Sequence, residues 1–162
     1  MSDLSVREIT PDDLEQVLRF ITDLAVYERE PDAVHATVED LHAAFFGESP
    51  KVFGMLCEHG GKPIGFAVYF FNFSTWLGTH GVYLEDLFVA PQARGMGAGK
   101  ALLKAVGRVA WESGCGRYEW SVLRWNTPSI EFYEAVGAEA LEDWVGYRMD
   151  RETLGRFVGA DE

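Results

Sequence analysis

Three glycines at alternate positions, Gly95, Gly97 and Gly99, stand in the run R-G-M-G-A-G-K between an apolar stretch and an amphipathic one. Glycine lets the backbone turn tightly and aim its N–H groups at an anion, and a helix starting there adds the positive end of its dipole. Arg94, just before the turn, supplies a fixed positive charge. The chemistry open to such a stretch is the holding of a pyrophosphate. The spacing excludes two common versions of it. The dinucleotide fingerprint needs G-x-G-x-x-G with an acid about 20 residues on. The P-loop needs G-x-x-x-x-G-K-[ST], whereas Lys100 is followed by alanine. By itself a glycine-rich strand-to-helix turn suits a structural loop as well as a coenzyme site. Here it is fed by an acid-bearing apolar stretch, Y-L-E-D-L-F-V at Tyr83 to Val89, that closes on Pro91.

The elements that must position this turn can be read in order. Leu4 to Ile9 alternates apolar and polar, as a half-buried strand does. Thr10 caps a helix with Pro11 at its first position, Asp12 and Asp13 in its positive first turn, and an apolar stripe from Leu14 to Ala25. It ends near Glu28, and Arg29 to Ala36 form a loop suited to substrate selection. Thr37 with Asp40 caps a second helix that Gly47 stops. Lys51 to Glu58 and Pro63 to Phe73 are predicted strands joined by the hairpin turn His59-Gly60-Gly61-Lys62, and Phe66 to Phe73 is aromatic enough to predict a central strand covered on both faces. After a loop holding Trp76 come a strand over Val82 to Val89, the glycine turn, and a helix to Ser113 closed by Gly114. Tyr118 to Leu123 is predicted as a strand. Asn126 caps a short helix ended by Gly137, Trp144 to Asp150 is predicted as a last strand, and Leu154 to Glu162 as a frayed tail. The order is that of one mixed α/β domain over residues 1–162, without repeats or low-complexity segments.

Composition narrows the function classes. Hydrophobic residues at 48% and charged residues at 25% describe an ordinary globular chain. The net charge of −12 disfavours nucleic acid and anionic membrane and, if concentrated in a cleft, favours cationic ligands. Cys57 and Cys115 form no framework, so a reduced, cytoplasmic protein is expected. His35, His42, His59 and His80 lack metal-ligand spacing, and no metal is expected. No signal peptide and no membrane-spanning run is expected either.

The acid-bearing strand ending in V-x-P, followed by Q/R-x-x-G-x-G/A and a helix, resembles the coenzyme-binding motif of the GNAT superfamily of N-acetyltransferases. Over nearly its whole length the chain resembles one branch, the diamine and polyamine acetyltransferases known as spermidine/spermine N1-acetyltransferase and their thialysine-acetylating relative. The likeness rests on L-A-x-Y-E at Leu24 to Glu28, on Y-F-F, W-x-G and Y-L-E-D-L-F-V between Tyr69 and Val89, on R-G-M-G-A-G, and on W-N-T-P-S-I-E-F-Y at Trp125 to Tyr133.

That resemblance implies the GNAT fold, a mixed central sheet with helices on both faces and splayed central strands holding acetyl-coenzyme A. It also implies direct acetyl transfer to a primary amine and a homodimer packed through the C-terminal strands and the fourth helix. An amine of pKa near 10 must lose a proton before attacking a thioester, and the departing thiolate gains from a ready proton. The resemblance assigns Glu85 to the amine, either as base, directly or through water, or only as its binding partner. It makes Tyr133, protonated at neutral pH, the general acid for the thiolate. Leu87, Phe88 and Val89 would line the pantetheine arm; Arg94, Gly95, Met96, Gly97, Ala98, Gly99 and Lys100 the pyrophosphate; Asn126 and Ser129 the coenzyme's other side. Tyr27, Glu28, Glu85 and Asp86 match the amine-binding positions.

Two departures shift the expected acceptor. F-S-T-W at Phe73 to Trp76 lacks the acid of the polyamine enzymes, as the thialysine type does, and L-E-D-W-V-G-Y at Leu141 to Tyr147 displaces their acidic pair. A long polycation wants carboxylates spread along a channel, while one aminoethyl head needs one or two. A small aliphatic or lysine-like amine is therefore expected, with spermidine next. A peptide amine, or a coenzyme-binding module without catalysis, are the competing readings.

Overall fold

The computed structural model describes residues 3–160, which fall into two compact units, one up to Leu123 and one from Arg124 on.

The first unit is built on a five-stranded sheet in sequence order: β1 (Leu4–Glu8), β2 (Phe53–His59), β3 (Lys62–Ser74), β4 (Thr79–Val89) and β5 (Tyr118–Glu119). The first four strands pair antiparallel and β5 joins β4 in parallel, so the sheet is mixed. Between β2 and β3 the turn residues Gly60 and Gly61 both have positive φ, the geometry that two-residue hairpins demand.

Helix α1 (Leu14–Tyr27), entered through a 3-10 turn at Pro11–Asp13, and α2 (Val38–Phe46) pack on one face of the sheet. Thr10 and Asp13, and likewise Thr37 and Asp40, form reciprocal capping boxes, as their spacing predicts. Arg7 ties the start of α1 to the sheet. Its guanidinium meets Asp13 and Glu58, each at 2.7 Å, and the first bond holds the Asp13 carboxyl down at about 2. Phe20 of α1 stacks on Phe66 at 5.7 Å and meets Phe88 at 5.9 Å, which makes this face the aromatic core of the unit.

On the opposite face lies α3 (Ala98–Glu112), burying Leu102, Leu103, Val106 and Ala110. Gly65 permits that approach. A Cβ there would stand 2.6 Å from the Phe88 carbonyl oxygen and 3.3 Å from Leu102. Because the first obstacle is backbone, Gly65→Ala is expected to lower unfolding free energy by about 2 kcal/mol, checked by urea denaturation.

β4 departs from a regular ladder where the sequence places its acids. Val68 pairs with Asp86 while the next residue, Tyr69, pairs with Leu84, so Glu85 is an extra residue, a β-bulge. Side chains alternate along a strand, so an inserted residue reverses the facing of all that follow. Val82 and Leu84 share the α3 face with Gly65, whereas Asp86 and Phe88 are turned to the α1 face with Val68 and Phe66.

β4 and β5 pair only at Val82–Tyr118 and Tyr83–Glu119. Among the described residues no strand continues that edge beside Leu84 to Val89. The expected splay of the central strands takes this form.

Several sequence expectations need correction. β3 is central, but burial on both faces stops at Tyr69. The ladder to β2 ends at Phe53–Tyr69, and beyond it Phe73 is 51% exposed. β5 covers two residues rather than Tyr118 to Leu123, because it parts from β4 after Glu119.

The second unit holds α4 (Thr127–Ala135) and α5 (Arg151–Val158). Asn126 caps α4 through its Oδ1, which accepts the Ser129 N–H. Residues 144–150 form no strand; a β-pattern needs a neighbour to pair with, and among the described residues none does. The expected frayed tail is instead α5, capped by Asp150 accepting from the Thr153 N–H, with Glu152 and Arg156 paired one turn apart.

Candidate active site

The glycine turn of the first unit is built by local rules. Pro91 opens a single 3-10 turn, and Gly95 (φ 88°) and Gly97 (φ 87°) take the left-handed conformation that other residues resist. Gly97 is also the N-cap of α3, with no side chain satisfying the helix's first amides. Those amides, from Ala98, Gly99 and Lys100, form the positive end of a 15-residue helix. Gly99 is less constrained: it lies inside α3, and a Cβ there would find only Val89 at 3.8 Å. A Cβ on Gly95 or Gly97 would meet nothing within 4 Å, which leaves the space before the turn open. Met96 and Lys100 are exposed.

Beside this turn runs the stretch Leu87 to Val89 of β4, whose edge no strand continues among the described residues. An extended ligand with amide groups can take the hydrogen bonds that a neighbouring strand would otherwise satisfy. Phe88 itself is buried in the aromatic core, so it supports the edge from behind through its backbone.

Arg94 follows the 3-10 turn and reaches back toward β4 and α1. Its Nε donates to the Val89 carbonyl oxygen at 3.2 Å, and its guanidinium carbon lies 5.0 Å from the Tyr27 ring centroid and 6.0 Å from that of Phe88. Sequence reading offered no signal for this contact, because residues 27 and 94 meet only through the packing of α1 on the sheet.

The same packing gathers the acids. Tyr27 is the last residue of α1 and Glu28 its C-cap, closed by Glu28 N–H to the Leu24 carbonyl and Glu30 N–H to that of Ala25. Asp86 is half-buried, and its carboxyl is pushed up to about 6, first by burial and then by Glu85 and Glu28. Glu28 is also raised, by desolvation and then by Glu85. No arginine or lysine forms an ion pair with any of the three among the described residues. Two raised carboxyls beside the Glu85 charge, with no such ion pair, make this corner a candidate site for a cation. Glu85 on the bulge and Glu28 at the end of α1 are exposed, whereas Asp86 is half-buried between them and the sheet.

In the second unit, Asn126 is buried and engaged as the α4 cap, while Ser129 is half-buried in the first turn. Tyr133 is half-buried on α4, its ring 5.4 Å from that of Phe132, and its carbonyl accepts the Ala138 N–H that closes the helix. Phe132 beside it is half-buried as well.

Residues 14–138 match the model of the acetyltransferase (GNAT) family, a span that includes α1, the bulged strand, the glycine turn and α4. A thialysine N-epsilon-acetyltransferase of Sus scrofa is 34% identical over 170 residues, covering 98% of this chain and 99% of its own. A human spermidine/spermine N(1)-acetyltransferase-like protein is 32% identical over 95% of this chain, which spans 24% of that longer protein. Among solved structures, an integron cassette protein of V. cholerae superposes with a TM-score of 0.81 at 24% identity, over 98% of this chain and 99% of that one.

Proposed function

Because the chain belongs to the GNAT acetyltransferase family, we propose that it transfers the acetyl group of acetyl-coenzyme A directly to a primary amine of a small diamine, polyamine or lysine-like acceptor. The observation that carries the acceptor class is the uncompensated carboxylate corner of Glu28, Glu85 and Asp86. An ammonium group supplies the missing positive charge, and the ring of Tyr27 adds a face for it. The full-length likeness to a thialysine acetyltransferase, together with F-S-T-W at Phe73 to Trp76, favours an aminoethyl head of the lysine type.

The donor fits the groups on the page. Left-handed Gly95 and Gly97 with the first amides of α3 would hold its pyrophosphate. The backbone of Leu87 and Val89 on that β4 edge would hold its pantetheine amides, with Asn126 and Ser129 touching it from α4. When bound, the coenzyme supplies an activated acyl group and a thiolate leaving group.

The chain's own residues then perform two tasks. Glu85 or Asp86 binds the ammonium, and Glu85, reachable by solvent, takes its proton directly or through one water. Tyr133 delivers a proton to the departing sulfur. No metal is assigned a role. We assign the protein to the cytoplasm; no helix among the described residues is long and apolar enough to cross a membrane. A homodimer completes the reading, with the exposed Trp144, Val145, Tyr147 and Phe157 of the second unit as the apolar surface that a second copy would cover.

The deciding experiment is a thiol-release assay with acetyl-coenzyme A and thialysine, lysine, putrescine, spermidine, spermine and a lysine peptide. Preference for one free small amine is the expected result. Preference for the peptide would replace the acceptor class, and coenzyme binding by calorimetry without any turnover would remove the reaction.

A further inference from the structure

We propose that Arg117 and Glu119 form the far end of the acceptor site and select a free α-amino acid bearing a terminal amine over a diamine or polyamine. The inference rests on the acceptor reading above and narrows it to one class of small molecule.

The α1 face of the sheet does not stop at the acid corner. Residues two apart on a strand share a face, so Tyr83 and Gly81 continue along β4 from Glu85. The Tyr83 ring lies 5.3 Å from that of Phe70 on β3, and its hydroxyl is 2.7 Å from Ser121 Oγ. One step further, Asn72 of β3, Gly81 of β4 and Arg117, just before β5, stand in a row. A Cβ on Gly81 would lie 2.7 Å from Asn72 Oδ1 and 3.0 Å from Arg117 Cγ, so the missing side chain lets the two neighbours close over the strand. Arg117 Nε pairs with Glu119 at 2.7 Å, and its guanidinium also donates to the Phe73 carbonyl oxygen at 3.3 Å. Asn72 Nδ2 donates to Glu119 at 3.5 Å, while Asn72 Oδ1 is buried and accepts no hydrogen bond among the described residues.

Length and charge decide what this lane accepts. Glu119 pairs level with Tyr83, two residues from Glu85 and one strand over, a backbone separation of about 8 Å by strand geometry. The five bonds from the terminal nitrogen of a lysine-like amino acid to its α-carbon span about 6 Å. Such a molecule, laid over Phe70 and Tyr83, has its amine at the acid corner and its head at Arg117 and Glu119. At the near end Glu28, Glu85 and Asp86 form no ion pair among the described residues; at the far end acid and base are already matched. A second ammonium there gains from Glu119 what it loses to Arg117. The α-ammonium and α-carboxylate of an amino acid gain from both. The first meets Glu119, with the donorless Asn72 Oδ1 beside it, and the second meets the guanidinium. The Arg117 and Glu119 side chains are 40% and 28% exposed, so their own pair is worth little in water and changes partners at low cost. A lysine within a peptide brings neither charge, because both groups are bound in amides.

Three acceptors isolate the two head groups: thialysine, its analogue lacking the α-carboxylate, and its analogue lacking the α-amine. In the parent, kcat/KM for thialysine should exceed that for either analogue by about tenfold or more, the worth of one charged hydrogen bond. In Arg117→Gln the preference over the decarboxylated analogue should shrink to about threefold or less, while the preference over the desamino analogue persists. Glu119→Gln should do the reverse. Each reading is a ratio within one protein, so partial loss of folded enzyme does not disturb it. A parent that treats the three acceptors alike, or prefers the decarboxylated one, overturns the proposal and leaves acetyl transfer to small amines standing. Parental ratios in both variants overturn it as well, and make the Arg117–Glu119 pair a tie between β5 and β3. Turnover of no free amine by the parent removes the acceptor reading and this proposal with it.

Discussion

A Tyr133→Phe variant is expected to lose about two to three orders of magnitude in kcat, the usual worth of a positioned general acid and about 3–4 kcal/mol of transition-state stabilisation. Only a hydroxyl is removed. The ring keeps its 5.4 Å neighbour Phe132, and the Tyr133 carbonyl keeps the Ala138 N–H that closes α4. The KM for acetyl-coenzyme A should stay within about threefold, since the lost interaction serves the leaving group rather than ground-state binding. If kcat stays within threefold of the parent across pH, Tyr133 is an aromatic of the helix face and the thiolate leaves by another route.

The second large effect is at Asp86, where stability and function are expected to move in opposite directions. Its carboxyl sits at about 6 in the folded chain against an ordinary 3.8. Burial and the neighbouring Glu85 and Glu28 make the native state prefer the protonated form. Below pH 4 folded and unfolded chains are both protonated at this site and nothing is lost. As pH rises through 4 to 6 the unfolded chain releases its proton first, and the native state loses up to about 3 kcal/mol.

Asp86→Asn removes this penalty. It should be more stable than the parent by about 2–3 kcal/mol at pH 7.5, with the advantage gone at pH 4, as urea titrations at the two pH values would show. The same change removes a charge that an ammonium substrate needs, so the amine KM should rise at least tenfold. In the parent, kcat/KM for the amine should fall below about pH 6 as Asp86 takes its proton, and the variant should lose that inflection. A variant destabilised at pH 7.5, or one with an unchanged amine KM, would show that Asp86 is a structural acid. A site that stores repulsion for its ligand to relieve is less stable than it could be, the common cost of a preformed charge site.

How much of this was legible in the chain depends on the range of the forces involved. The capping boxes at Thr10 and Thr37, the Gly60-Gly61 turn, the start of α3 at Gly97 and the Asn126 cap all involve residues within four positions of one another. Their residue types carry the information. The expectation failed where a segment's form depends on a partner. Phe70 to Phe73 is as aromatic as the half of β3 before it, yet it runs past the end of β2 and leaves Phe71 and Phe73 exposed. Residues 144–150 have the composition of a strand and no strand beside them. The tail was misread for the opposite reason: the cap at Asp150 and the Glu152–Arg156 pair are local signals, outweighed by the polar content around them.

By itself the sequence determined that a left-handed glycine turn and a helix start follow an acid-bearing strand, because φ preferences, missing side chains and helix-end amides act within one short stretch. Its motifs also carried the family. Only the tertiary structure decided what that strand does with its acids. The bulge at Glu85 exists in the pairing of β4 with β3, and it turns Asp86 and Phe88 to the face where α1 lies. Glu28 and Arg94 reach that corner from elsewhere in the chain, drawn there by the burial of Phe20 against Phe66 and Phe88. Electrostatic coupling acts through space, so the raised carboxyl of Asp86 and the turn of Arg94 toward Tyr27 follow from packing that no local pattern of residues encodes.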